Sequence, residues 1–149
     1  MIRIAIALAL LAGPAAAQTV TGACTDGSIW TGGPGDAGLG PCESPGEGFF
    51  RLRCDAGSVV MNVESPYPIA EDQRGTVDLT VDGTVWRLEG VGRTFDRTDT
   101  RGLAAVAVPT EALDALAAGS TARLDMPTET RPFHLTGSGA ALAALRDAC

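Results

Sequence analysis

The segment TVDLTVDGTVWRLEG, residues 76–90, constrains the fold more than any other part of the chain. Alternating apolar and polar residues flank an Asp-Gly pair, which is typical of a two-residue type I′ hairpin because both central positions need a positive φ. A turn at Asp82-Gly83 sets the register, so the sequence predicts four cross-strand pairs: Val81 with Thr84, Leu79 with Trp86, Val77 with Leu88, and Asp78 with Arg87. One side of this hairpin is apolar apart from Thr84 and should lie on the core.

Period-two patterns predict further strands along the chain. Residues 49–54 and 58–64 alternate around a turn at Asp55-Ala56-Gly57 and form a second hairpin, followed by an exposed loop over residues 65–75. Further strands are expected at 91–97, at 103–108 (apolar throughout, as in a central strand covered on both faces), at 121–126, and at 131–135, where Pro132 favours an edge.

Two short helices are also expected. Pro109-Thr110 opens the first, which Gly119 ends, and Ser138 is a good N-cap for the second, AALAALRDAC. The predicted fold class is therefore mainly β: an antiparallel β-sandwich or barrel-like sheet with two short helices, one of them at the C-terminus, and two disulfides.

The amino-terminal residues have the layout of a secretory signal peptide. Arg3 precedes a short apolar run and Ala15-Ala16-Ala17 offers a cleavage site, which makes residues 1–17 the signal peptide. The apolar run is about half of the ~20 residues that span a bilayer, so stable membrane insertion is not expected. A Gly/Pro-rich segment over 18–48 and a β-rich domain over 49–149 would remain, in the periplasm or outside the cell.

Charge narrows the classes of partner. The net charge is −7 and all eleven basic residues are arginine. An acidic domain without basic clusters argues against nucleic acid and against anionic membrane surfaces. Five arginines could still converge on one face and recognise an anionic partner, and the same five could equally be scattered surface charge: Arg51, Arg53, Arg93, Arg97 and Arg101.

Four cysteines in an exported chain indicate two disulfides, and three pairings are possible in principle. Wide spacing and a single histidine disfavour zinc. Cys24 and Cys42 bracket the Gly/Pro-rich segment, whose composition argues against a central strand and allows only a small strand anchored by Trp30. Cys149 shares a helical stripe with Leu142 and Leu145, so its sulfur should point at the core beside Cys54. The favoured pairs are Cys24–Cys42 and Cys54–Cys149.

No group of residues indicates catalysis or a cofactor. His134 alternates with Phe133 and Leu135 and is expected to be a surface or packing residue, because no activated serine or cysteine accompanies it. The acidic residues of three segments lack the spacing of a catalytic pair or of a calcium loop and are expected to be solvated: Glu64, Glu71, Asp72, Asp96 and Asp99. No cofactor or metal is expected.

The carboxyl-terminal pattern F-x-L-x-G-x-x-x-A-L-x-x-L-R-x-A-C, residues 133–149, follows VPTEALDALAAGSTARLDM. Together, over residues 103–149, they resemble small bacterial periplasmic proteins of the invasion-associated locus B (IalB) family and the TagO/VasI type associated with type VI secretion. The resemblance implies an export signal, a β-rich domain closed by a helix, and an envelope-resident accessory role without catalytic residues.

These observations predict an exported, non-enzymatic envelope accessory or binding protein that acts through contacts with a protein partner. The alternative is an inhibitor of an exported hydrolase such as lysozyme, since an acidic surface suits a basic enzyme. A hydrolytic enzyme is the third hypothesis. A protruding loop at 65–75 would favour the inhibitor, and a pocket at His134 with a carboxylate in hydrogen-bond reach would favour the enzyme.

Overall fold

The computed structural model describes residues 18–64 and 67–149; the predicted signal peptide, residues 1–17, and residues 65–66 lie outside the described residues. Within the described ranges the chain forms ten strands and two helices: β1 Thr19–Val20, β2 Ser28–Gly33, β3 Asp36–Pro41, β4 Phe50–Asp55, β5 Ser58–Val63, β6 Arg74–Val81, β7 Thr84–Phe95, β8 Thr100–Ala107, α1 Thr110–Ala118, β9 Thr121–Asp125, β10 Thr130–His134 and α2 Ser138–Asp147.

All ten strands belong to one antiparallel sheet in the order β1-β2-β3-β4-β5-β8-β7-β6-β9-β10. The sheet curls so that its two ends approach each other. Trp30 Nε1 on β2 donates a hydrogen bond to the carbonyl oxygen of His134 on β10 at 2.9 Å. The predicted class, mainly β and antiparallel with two helices and two disulfides, is confirmed.

The hairpin of β6 and β7 has the predicted register at all four pairs. Asp82 and Gly83 have φ values of 45° and 89°, as a type I′ turn requires. A separate strand over 91–97 is not formed, because β7 continues without a break to Phe95. It pairs with β6 up to Val91 and with β8 from Val91 onward, so one long strand serves two neighbours.

The expectation that the Gly/Pro-rich segment holds no central strand is wrong. Residues 28–41 form the β2–β3 hairpin, and β3 lies between β2 and β4 inside the sheet. Glycine serves close packing here, since a Cβ on Gly32 would lie 2.5 Å from the Cα of Ala141 on α2. The strand anchored by Trp30 is present, and the indole is fully buried.

Both helices pack their apolar faces into the core enclosed by the sheet. Leu142 and Leu145 of α2 and Leu116 of α1 are fully buried, as the helical spacing predicted. Ser138 is the first helical residue and not the N-cap, which is Gly137 at φ 95°. The Ser138 hydroxyl is instead within 2.7 Å of two carbonyl oxygens, those of Leu116 and Leu135.

Two surface predictions are corrected. Strand β8 is not covered on both faces: Leu103 and Val106 are buried, whereas Ala105 and Ala107 are exposed. A bulge opposite Met61–Val63 breaks its alternation, and Ala105 has φ 53°.

The loop that follows residues 65–66 is not wholly exposed either. Tyr67 and Ile69 are buried, and the Tyr67 hydroxyl donates to the Thr76 carbonyl oxygen at 2.7 Å. A side chain built on Gly75 would contact Ile69 and Leu103, so the glycine leaves room for the loop to fold inward. The described part of this loop therefore packs against the sheet and does not protrude.

Candidate functional site

The favoured cysteine pairing is confirmed. Cys24–Cys42 closes a separation of 18 residues with a Cα–Cα distance of 5.8 Å, and Cys54–Cys149 closes 95 residues at 5.4 Å. The terminal sulfur does not point into the core as expected, because Cys149 is exposed and Cys54 is half-buried. The second bridge therefore holds the end of α2 to β4 at the surface, while Leu142 and Leu145 fill the interior.

Two of the five arginines converge on one loop. Arg51 Nη1 and Arg97 Nη1 both donate to the carbonyl oxygen of Gly46, at 2.7 and 3.1 Å. Arg51 also forms an ion pair with Asp36, and Arg97 lies 3.8 Å from a carboxylate oxygen of Glu64. These two side chains fasten the loop between β3 and β4 to the rest of the sheet.

Arg93 has a similar role in the loop that precedes β6. Its guanidinium donates to Glu71 at 2.8 Å and also pairs with Asp72. The hydrogen bond from Arg93, together with one from the Thr94 amide, lowers the pKa of Glu71. Glu71 and Asp72, the adjacent acids weighed as catalytic candidates, thus hold the loop through Arg93.

Arg53 and Arg101 are exposed and form no ion pair within the described residues. They are not neighbours. Arg53, on β4, is paired in register with Asp36 on β3 and Val60 on β5. Arg101, on β8, is paired with Thr94 near the β7–β8 turn. Because Arg93 and Thr94 are consecutive, Arg93 and Arg101 point to opposite faces of the sheet. A single arginine surface stays a prediction.

His134 joins the two ends of the curled sheet. Its Nε2 lies 3.1 Å from the carbonyl oxygen of Ser28, which can only accept, so Nε2 carries the proton. Its Nδ1 is buried and has no hydrogen-bond partner among the residues that the structure describes. Over residues 18–64 and 67–149, no carboxylate is hydrogen-bonded to this imidazole, and no grouping of His, Cys, Asp or Glu could hold a metal ion.

Two cavities that share lining residues lie on the outer side of the sheet, and His134 lines one of them. One, of about 310 Å³, is lined by Thr80, Asp82, Val85 and Arg123, and the other, of about 370 Å³, by Asp26, Ser28, Ser120 and His134; both are lined by Thr121, Ala122 and Pro132. Sequence reasoning missed this region. The sequence indicates only that the side chains of Thr80 and Thr121 point to the outer face of their strands, and this is true of every exposed strand residue.

No protein-family model and no curated protein matches the sequence. The comparison with solved structures gives a match. The chain is similar to the crystal structure of invasion associated protein B from Bartonella henselae, at 18% sequence identity and a TM-score of 0.48, with 87% of this chain and 95% of that chain covered. The predicted resemblance to IalB proteins is confirmed as a weak one. The resemblance to type VI secretion-associated proteins stays a prediction.

Within the two described ranges, no helix is both long enough and apolar enough to cross a bilayer.

Proposed function

We propose that this protein is an exported, non-enzymatic envelope accessory protein that acts by binding another protein. The observation that carries the proposal is the pair of disulfides, Cys24–Cys42 and Cys54–Cys149, which use all four cysteines of the chain. Such bridges form and persist in oxidising compartments such as the bacterial periplasm. The signal-like residues 1–17 point to the same compartment.

A binding role is favoured over catalysis because the candidate catalytic groups already hold the fold together. His134 bridges β10 to β2 through Ser28, and Glu71 is engaged by Arg93 and the Thr94 amide. Groups fixed in this way stabilise loops and strand ends. We propose Arg53 and Arg101 as two separate contacts for an acidic partner, because these exposed arginines form no ion pair within the described residues.

Affinity capture from the periplasm tests the binding role, with the oxidised protein beginning at Gln18 as bait. We expect the unaltered bait to retain an envelope protein, and we expect the variant Arg53→Glu/Arg101→Glu not to retain it. The matched control is Arg74→Glu, because Arg74 is also exposed and its ion pair with Glu89, at 3.7 Å, is long. Recovery of a peptidoglycan hydrolase whose activity falls on binding would replace this proposal with the inhibitor hypothesis. Equal recovery by all three baits would remove the arginines from the interface.

The compartment has its own test. Mass spectrometry of the protein from cells, without reduction, should give a chain that begins at Gln18 and lacks four hydrogens relative to the reduced form. An intact precursor with four reduced thiols would contradict export.

A further inference from the structure

The two cavities share the lining residues Thr121, Ala122 and Pro132, and together they are called the outer groove here. Register places Val85, Thr80, Arg123 and Pro132 in one row across β7, β6, β9 and β10. Thr121 and His134 are paired in a second row, which continues to Ser28 on β2. Because residues opposite each other in a sheet share a face, both rows face away from the core.

Two buried polar atoms in the lining of this groove lack partners. Thr80 is only 6% exposed, and its hydroxyl makes no hydrogen bond to any residue of 18–64 or 67–149. The Nδ1 atom of His134 is likewise buried without a hydrogen-bond partner among the described residues. Burying a polar group without a partner is unfavourable, so such atoms in a native protein call for an explanation, and a ligand that supplies the missing hydrogen bonds is one.

The charges and lone pairs of the groove define what a ligand must offer. With the proton of His134 on Nε2, Nδ1 can only accept a hydrogen bond. Asp26 and Asp82 add carboxylate acceptors, and bonds from the amides of Ser120 and Thr121 lower the pKa of Asp82 and keep it ionised. The ligand must therefore bring several donors. Arg123 also lines the groove, but its charge is paired with Asp125, so Asp26 and Asp82 disfavour an anion.

The same lining also has exposed apolar side chains and the long side chain of Arg123. Val85, which is 55% exposed, and Pro132 stand at opposite ends of the first row, with β6 and β9 between them, and both line the same cavity. The groove can therefore contact the C–H face of a ligand at both ends. Arg123 is the cross-strand neighbour of Thr80 and half-exposed, with its Nε on Asp125. We infer that this long side chain rotates away from Asp125 when a ligand binds and so gives access to the Thr80 hydroxyl.

We propose that the outer groove binds an uncharged, hydroxyl-rich saccharide, whose hydroxyls donate to Asp26, Asp82 and His134 Nδ1 and pair with Thr80 while its apolar face packs on Val85 and Pro132. This site is separate from the arginine contacts proposed above, and neither depends on the other.

Nuclear magnetic resonance titration of the oxidised protein tests the proposal. The probes are uncharged oligomers of N-acetylglucosamine and of glucose, with polygalacturonate as an anionic saccharide and oligolysine as a cationic peptide. We expect an uncharged oligomer to shift the amide signals of Thr80, Thr121 and His134, and polygalacturonate to shift none of them. If only oligolysine binds at these residues, or if no saccharide does, the proposal is wrong.

The variant Thr80→Val identifies the site, because it keeps the shape of the side chain and removes only the hydroxyl. We expect saccharide affinity to fall about tenfold or more while the melting temperature is unchanged or higher, since the hydroxyl has no partner in the protein. Thr76→Val is the matched control, four residues away on the same face of β6 and outside the groove. Unchanged affinity in Thr80→Val would contradict the assignment. Protein capture by this variant should equal that of the unaltered chain.

Discussion

Asp78 on β6 and Asp125 on β9 lie directly opposite each other, so two carboxylates share one face of the sheet. Like charges in this position are destabilising unless they are neutralised. Arg87 donates to both oxygens of Asp78 at 2.9 Å, and Arg123 donates to Asp125 at 2.8 Å. These bonds lower the pKa of each carboxyl, although the charge of Asp78 opposes the effect at Asp125.

The first prediction is a loss of stability in acid. The folded-state pKa values of Asp78 and Asp125 lie below the ordinary value of 3.8, so the folded state binds fewer protons than the unfolded state. The stabilisation is present above the unfolded-state pKa and is lost as the pH falls through the folded-state pKa. The free energy of unfolding in urea should therefore decrease as the pH falls below about 5. A value that is constant between pH 6 and 3 would contradict this.

The second prediction is that the loss of Arg123 destabilises the fold more than the loss of another exposed arginine. Arg123→Gln removes the largest cause of the low pKa of Asp125 and leaves Asp78 opposite it. The variant should be less stable than the unaltered chain at pH 7, by less than about 1 kcal/mol because the pair is exposed. The difference should shrink as the pH falls below 3.8, since Asp125 then takes up a proton and no longer needs the guanidinium. Arg74→Gln, whose pair with Glu89 is longer and more exposed, is the control and should show almost no effect.

The third prediction concerns the turn between β4 and β5. Ala56 has φ 49°, a left-handed conformation that disfavours residues with a Cβ other than Asn and Asp. Ala56→Asn should raise the free energy of unfolding by roughly 0.5–1 kcal/mol, because Asn tolerates this region and the site is exposed. Ala107→Asn, at an exposed strand position, should instead destabilise. Equal effects of the two changes, measured in urea, would disprove the conformational argument.

The fourth prediction tests the contact between the two helices. Ser138 is 1% exposed, and its hydroxyl lies 2.7 Å from the carbonyl oxygens of Leu116 and Leu135. Ser138→Ala leaves these buried acceptors without that donor and should cost about 1–3 kcal/mol of unfolding free energy. Ser58→Ala, at an exposed position, is the control and should change little. If both variants unfold at the same denaturant concentration, the buried hydroxyl does not stabilise the fold.

The regular strands could be predicted from the sequence because their signals are local. The Asp82-Gly83 turn fixes the register of β6 and β7 without help from distant residues, and Ala122 and Leu124 alternate on one strand. The errors arose where distant contacts decide the structure. Glycines argued against a strand in residues 36–41, yet β3 lies inside the sheet, and Gly32 in the neighbouring strand lets α2 approach. No local pattern reports the position of a helix 100 residues away.

The outer groove could not be predicted for the same reason. Thr80 and His134 are 54 residues apart in the chain, and each is an ordinary outward-facing strand residue in its own segment. Their proximity follows from the pairing of β9 with both β6 and β10, which depends on the strand order of the whole sheet. That each has a buried atom without a partner is a property of the packed structure.

The last prediction compares the two disulfides. In the chain-entropy model a bridge stabilises by restricting the unfolded chain, by about 3 kcal/mol for Cys24–Cys42 and about 4.7 kcal/mol for Cys54–Cys149, because the second closes the longer separation. Cys54→Ser/Cys149→Ser should therefore lose more unfolding free energy than Cys24→Ser/Cys42→Ser. Because Leu142 and Leu145 stay buried, only the last turn of α2 should fray, and amide exchange should rise at residues 146–149. Exchange that rises along all of α2 would instead show that the bridge, and not the buried leucines, holds the helix in place.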